Sequence, residues 1–185
     1  FLPAIEQMVQ NMQILELNGG ADYRMATLSK SGVYYYPADK KTENNMQRLF
    51  HGLAKTEASR NVIRLNNRDI QTKGNANGVI WFAFSSICGG PRAQPDYIQI
   101  AKQFHTVMVS GLPTFNSDDS DRRRRFTWLV DELYDQKVNL ILSAGVSVET
   151  VFSSIFQDNE VLRTQSRLIE MQGEKYLRFA HGKSH

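Results

Sequence analysis

The residue pattern of this 185-residue chain predicts an α/β protein, with a mixed sheet and a strand-helix-strand crossover. Two strand-length runs, 105–109 and 138–142, are separated by an acidic turn at 116–121 and one helical pattern over 122–135. At 100° per residue, Phe126, Leu129, Val130, Leu133 and Tyr134 of that helix fall within an arc of roughly 140°, while Asp131, Glu132 and Asp135 lie outside it. Such a helix packs one face on a sheet, and a unit of this length joins parallel strands by a right-handed crossover. The third observation is a hairpin. Residues 61–65 and 68–72 flank Asn66 and Asn67, and asparagine tolerates the positive φ that a two-residue turn needs.

From the N-terminus, Pro3 suits a first helical turn, and Leu2, Ile5, Met8, Val9 and Met12 recur at helical spacing. Residues 13–17 alternate as a strand, Gly19 and Gly20 break it, and 22–24 lead into a second extended stretch ending near Leu28. A tyrosine-rich run over 33–36 halts at Pro37, after which Met46, Leu49, Phe50 and Leu53 mark a helix. Beyond the hairpin, the polar residues 73–78 are expected to form a surface loop that delivers the chain into a strand over 79–84. Pro95 opens a helix through Tyr97, Ile100, Ala101 and Phe104, and two final helices are expected at 148–156 and 163–171, before a short tail. Coarsely, 1–78 is a helix plus strand and hairpin segment, and 79–185 is a strand-helix-strand segment with C-terminal helices, in one domain or two.

Composition excludes more than it assigns. With 22 Lys+Arg against 19 Asp+Glu and a net charge of +3, the chain is too weakly basic to demand a nucleic-acid partner. Its single cysteine, Cys88, rules out an internal disulfide framework and fits a reducing compartment, so a cytoplasmic location is expected. The greasiest run, 79–84, is far shorter than the roughly 18 residues of a membrane span. Phe1 is followed by neither a basic n-region nor a long apolar h-region, so the chain reads as processed or as a fragment.

Several motifs could carry chemistry. Residues 127–132 end in Asp131-Glu132 after an apolar run, imitating the magnesium motif of many ATPases, but their apolar spacing is helical. No G-x-x-x-x-G-K-[ST] phosphate loop occurs, so ATP hydrolysis by this chain alone is not expected. Arg122 to Arg125 could clamp phosphate or nucleic acid, yet the run follows Asp118, Asp119 and Asp121, which favours local neutralisation. Because arginine is not the charge a helix N-terminus prefers, at least one of the four is expected to have a specific partner. Arg163 and Arg167 sit four apart on one helical face, an arrangement that suits a nucleotide phosphate, an acidic protein surface, or ordinary ion pairs, with Glu170 three residues from Arg167. His51 and His105 read as packing or surface residues, since no nucleophile motif accompanies them, and His181 and His185 lack a third metal ligand. Cys88, ahead of Gly89-Gly90-Pro91, reads as a small apolar residue near a turn.

The ordered strings themselves resemble a known family. Phe1-Leu2-Pro3-Ala4-Ile5, Asp22-Tyr23-Arg24, Trp81-Phe82, Cys88-Gly89-Gly90-Pro91-Arg92, Asp96-Tyr97-Ile98 and Phe104-His105-Thr106-Val107 come first. Arg125-Phe126, Leu129-Val130-Asp131-Glu132, Tyr134-Asp135 and the run from Arg163-Thr164-Gln165-Ser166-Arg167 to Gln172 follow. Together they resemble the ZapE family of AAA+-like ATPases from Phe1 to about His181. The resemblance implies a P-loop ATPase-related fold and a chain equivalent to the C-terminal half of a longer protein. In that family the phosphate loop, the Asp-Glu magnesium motif and a candidate arginine finger lie upstream.

For the full protein the resemblance implies Mg-dependent ATP hydrolysis, with ATP and Mg held mainly by upstream residues, coupled to remodelling at the bacterial division ring through the tubulin-like FtsZ. The implied partners are the upstream ATPase half, division proteins and a second copy of the chain. Arg24, Arg92, Arg163 and Arg167 fall in matching strings, and Arg163 and Arg167 are the residues expected to contact nucleotide or a neighbouring subunit. Departures from the family pattern are Ala26, Asn67, Asn139, Ser147, Asn159 and Val161. The rival expectation is a non-enzymatic binding or assembly module that uses its arginine clusters on nucleic acid or an acidic protein surface.

Overall fold

The computed structural model describes residues 20, 22–156 and 158–179. The helix expected at 3–12, the strand expected at 13–17, and His181 and His185 lie outside the described residues. Five strands form one sheet in the order β1-β7-β6-β5-β4: β1 is Tyr34–Tyr35, β4 Gly74–Ala76, β5 Val79–Ala83, β6 Thr106–Leu112 and β7 Asn139–Ala144. The pairs β1–β7, β7–β6 and β6–β5 are parallel, and β4 closes one edge antiparallel to β5. The hairpin β2 (Asn61–Leu65) and β3 (Arg68–Thr72) stands apart as a two-stranded sheet in the expected register, with Asn66 and Asn67 at φ of 46° and 63°.

Strand pleating sorts the side chains into two apolar layers. Ile80, Phe82, Val107, Val109, Leu140 and Leu142 face one core, where α3 (Phe84–Cys88), α4 (Gln94–Gln103), α5 (Ser120–Asp135) and α6 (Asn159–Glu170) pack. Val79, Trp81, Met108 and Ile141 face the other, beneath α1 (22–31) and α2 (Lys40–Ala54). The last helix, α7 (Glu174–Phe179), contributes Tyr176 to the first core and Leu177 to the second. Both faces of the parallel strands are therefore buried, which explains why β5 to β7 read as continuous apolar runs. The apolar arc of α5 is the buried one: Phe126, Leu129, Val130 and Leu133 are inaccessible to solvent.

Five expectations are corrected. Residues 22–31 are helix rather than an extended stretch. Met25, Ala26 and Leu28 are good helix formers, Thr27 Oγ1 donates to the Tyr23 carbonyl at 2.8 Å, and Gly32, at φ 76°, ends the helix by donating to the Leu28 carbonyl. Residues 73–78 are not a plain loop, because Asn77 and Gly78, both at positive φ, turn β4 back onto β5. Residues 148–156 form successive turns instead of a helix. Their bonds run from Thr150, Ser153 and Ile155 to carbonyls three residues back, while Val148, Val151 and Phe152 anchor them to the core. The tail contains a further helix, α7, and α6 begins earlier than expected, where Asp158 caps it by accepting the Val161 N–H at 2.8 Å.

One buried carboxylate locks the hairpin to the sheet layer. Asp96, 1% exposed in the first turn of α4, accepts from Asn66 Nδ2 at 2.8 Å, Arg68 Nη1 at 2.7 Å and the Ala93 N–H at 3.0 Å. Burial alone would raise its pKa, but these donors outweigh it and hold the carboxyl below the usual range.

Two predictions follow from this packing. A Cβ on Gly74 would lie 2.8 Å from the Phe50 ring, whereas one on Gly52 meets nothing within 4 Å. Gly74→Ala should cost about 1–3 kcal/mol in denaturant unfolding. Gly52→Ala, within α2, should gain up to about 1 kcal/mol. The second concerns His105, whose Nε2 lies 3.0 Å from the Asn77 carbonyl and whose Nδ1 lies 2.9 Å from Thr106 Oγ1. Burial, then the charge of Arg24, pull its pKa down to about 4, so the neutral ring is the folded form. A depressed folded pKa gives stability that is complete above the unfolded value of about 6.5 and is lost as pH falls toward 4. Thermal unfolding followed by circular dichroism should show the melting temperature dropping over that window, and His105→Asn should flatten the drop.

Candidate functional site

The two arginines singled out by spacing do share one face of α6, and that face lies against α5. Arg163 Nη2 donates to Asp131 Oδ2 at 3.0 Å and Arg167 Nη1 to Asp131 Oδ1 at 2.5 Å, so one carboxylate divides its two oxygens between two guanidinium groups. Arg167 also reaches Asp135 Oδ1 at 3.4 Å and lies over the Tyr134 ring, 4.7 Å from its centroid. Arg163 has no such support: its side chain is 52% exposed, against 22% for Arg167.

Behind the pair the helices are pinned by polar contacts that fix their register. Thr164 Oγ1, fully buried, lies 3.3 Å from Thr127 Oγ1. The Tyr134 hydroxyl donates to Glu170 Oε2 at 2.8 Å, and that bond, ahead of burial, raises its pKa. Tyr134 stacks on Tyr176 with ring centroids 5.7 Å apart, and Lys137 Nζ sits 4.4 Å from the Tyr134 ring centroid. The Tyr176 hydroxyl donates to the Val138 carbonyl at 3.0 Å, tying α7 to the start of β7. Sequence reasoning weighed Glu170 as the partner of Arg167, but in the structure Glu170 serves Tyr134 and Asp131 takes both arginines. The available signal was the position of Asp131 outside the apolar arc of its helix. Only the tertiary fold brings that side against α6.

The remaining candidates disperse. Asp131 and Glu132 sit within α5 and not at a strand end, as their helical spacing implied. Of the arginine run, Arg122 pairs with the buried Asp119 and Arg125 Nη1 donates to the Cys88 carbonyl at 3.1 Å, so two of the four have the specific partners expected. Arg92 Nη2 donates to the Ser86 carbonyl at 3.3 Å, beside Arg125 at the end of α3, and Arg24 is half-buried on α1. Cys88 is fully buried, and burial pushes its thiol up to about 12, so it is packing and not a nucleophile. His51 sits in α2, 3.1 Å from Glu57. No group of three or more metal-ligating side chains occurs among the described residues, and none of their helices is long and apolar enough to cross a membrane.

Comparison with known proteins places this architecture. A family model described as AFG1-like ATPase matches residues 1–180. The chain is 35% identical over 183 residues to the cell division protein ZapE of Escherichia coli K12, covering 98% of this chain and 48% of that protein. It is 30% identical over 156 residues to the uncharacterized protein C115.02c of Schizosaccharomyces pombe, covering 82% and 34%, and 27% identical over 175 residues to lactation elevated protein 1 homolog B of Danio rerio, covering 92% and 35%. The chain thus spans about half or less of the length of these curated relatives. No solved structure matches it. With a family model spanning nearly the whole sequence and a parallel-dominated α/β sheet to accommodate it, the chain belongs to the AFG1-like ATPase family.

Proposed function

We propose that this chain is the C-terminal portion of a Mg-dependent, ATP-hydrolysing protein of the cell, and that α6 is its link to the reaction. Phosphate loop, magnesium motif and water activation belong to the upstream half in this reading. Arg163 and Arg167 are held ready to meet a bound nucleotide or an acidic group on a neighbouring subunit. The observation that carries it is the sharing of Asp131. One carboxylate orients two permanently charged forks, yet leaves Arg163 half-exposed with most of its donors unspent among the described residues. Asp131 and the Tyr134 ring would then act as positioning groups, keeping the guanidinium planes fixed so that little rotamer entropy is lost on contact. The relative named a cell division protein supports a role in division. In this reading the partner is the tubulin-like FtsZ or another division protein, met in the cytoplasm.

Two outcomes test this reading. The 185-residue chain alone should show no Mg-dependent ATP turnover above background in a phosphate-release assay, and intrinsic turnover would defeat it. In the full-length protein, Arg163→Ala should lower turnover at least tenfold, about 1.4 kcal/mol of transition-state stabilisation, with a change in stability below about 1 kcal/mol because the pair is exposed. Loss of stability with unchanged specific turnover would instead make Arg163 an ordinary ion-pair residue.

A further inference from the structure

At the carboxyl ends of β5, β6 and β7 the sheet opens into a cavity of about 450 Å³. Its walls include Ala83 at the end of β5, Ser110 and Gly111 of β6, and Ser143 of β7, with Thr42 and Glu43 of α2, Ser85 of α3, Lys73 and Arg122 around them. The chain leaving β1 enters α2 on one face of the sheet, and the chain leaving β5 enters α3 on the other, so the cavity lies where the covering layers part. That is the place where open α/β sheets bind ligands, and the volume is within the range of small-molecule pockets.

The walls carry hydrogen-bond donors that the fold does not use. Ser110 and Ser143 are 9% and 2% exposed, on strands whose other central positions are apolar. Ser110 Oγ accepts the Trp81 indole N–H at 2.7 Å, and Ser143 Oγ accepts the Gly111 N–H at 3.2 Å. Each hydroxyl therefore keeps its own proton to donate. Among the described residues neither of these two protons has an acceptor; the Ser85 hydroxyl, also without a protein acceptor, is exposed to solvent. A buried hydroxyl proton without an acceptor costs free energy that an apolar residue would avoid. The β6–β7 register shifts between Val109 and Leu112, where Gly111 has a φ of 79°, and a Cβ there would meet nothing within 4 Å. Two cations reach the wall and both are paired: Lys73, 4.5 Å above the Trp81 ring, with Glu43, and Arg122 with Asp119, which is not itself part of the wall. Of the two carboxylates in the wall, Glu43 is taken by Lys73 and Asp39 by the Thr42 N–H.

We propose that this cavity binds a small phosphate-bearing molecule, whose oxygens accept from Ser85, Ser110 and Ser143 and draw Lys73 and Arg122 away from their pairs with Glu43 and Asp119. Three hydroxyl protons and two cations approaching from different elements suit the three free oxygens of a phosphoryl group better than the two coplanar oxygens of a carboxylate. The site is separate from the α5–α6 arginines and does not rest on their proposed role.

The test is a titration of the isotope-labelled 185-residue chain with inorganic phosphate at constant ionic strength, followed by backbone amide NMR, with glycerol 3-phosphate as a second arm. Saturable shifts should centre on Ser85, Ser110, Gly111 and Ser143. Tighter binding of the ester identifies a phosphate ester as the ligand type, and equal or tighter binding of phosphate identifies the free ion; either order supports the site. Ser143→Ala should weaken binding about tenfold, the scale of one hydrogen bond to a charged group. Lys73→Gln, which keeps the Ser143–Gly111 bond, should do the same and decides the matter if Ser143→Ala does not fold. Absent shifts, shifts centred elsewhere, or binding unchanged in both variants would overturn the proposal.

Discussion

The constraint on which this structure depends is the burial of both faces of three short parallel strands. In β5, β6 and β7 alternate side chains must each find an apolar partner, Ile80, Phe82, Val107 and Val109 on one side and Val79, Trp81, Met108 and Ile141 on the other. Neither layer of helices is therefore optional. A helix removed from either face would expose a row of large apolar groups, at a cost of about 1.5–3 kcal/mol for each fully buried side chain. The requirement also orders the molecule in space. With α3 to α6 on one face and α1 and α2 on the other, the carboxyl edge is left as the open crevice, and the outward side of α5 becomes the seat of α6.

That seat explains how an ordinary amphipathic helix acquires functional potential. The apolar arc of α5 fixes its rotation, and the rotation aims Asp131 at α6, where Arg163 and Arg167 meet it. Tyr134, at the margin of the same arc, stacks on Tyr176 and supports Arg167. Core packing thus sets the geometry of a charged surface group. The arrangement is asymmetric in a useful way: Arg167 is held by two carboxylates and a ring, whereas Arg163 has a single anchor and open solvent. An anion arriving at this face would meet Arg163 first.

Much of this was legible in the sequence because the governing physics is local. The Asn66-Asn67 turn fixes its own hairpin through the left-handed tolerance of asparagine, and the 3.6-residue period of α5 survives because one face is wholly buried. The failures have tertiary causes. Residues 148–156 carry helix-like apolar spacing, but their spacing serves to plug Val148, Val151 and Phe152 into a curved core surface. The strand β4 is too short and polar to announce itself, and exists because β5 offers an edge and Asn77-Gly78 a turn. At the candidate site, the i, i+4 spacing revealed both arginines but not their partner, since Asp131 is 32 residues from Arg163 in the chain. The cavity at the strand ends was invisible for the same reason, as Ser110 and Ser143 gain meaning only when β6 and β7 lie side by side.

The claim that α6 responds to nucleotide is tested most directly by hydrogen–deuterium exchange on the full-length protein, with and without a non-hydrolysable ATP analogue and Mg. Contact through Arg163 and Arg167 predicts slower amide exchange across the α6 segment carrying them, and across the facing turn of α5 around Asp131, when nucleotide is bound. Protection confined to the upstream half, with α5 and α6 exchanging at the same rate in both states, would contradict the account.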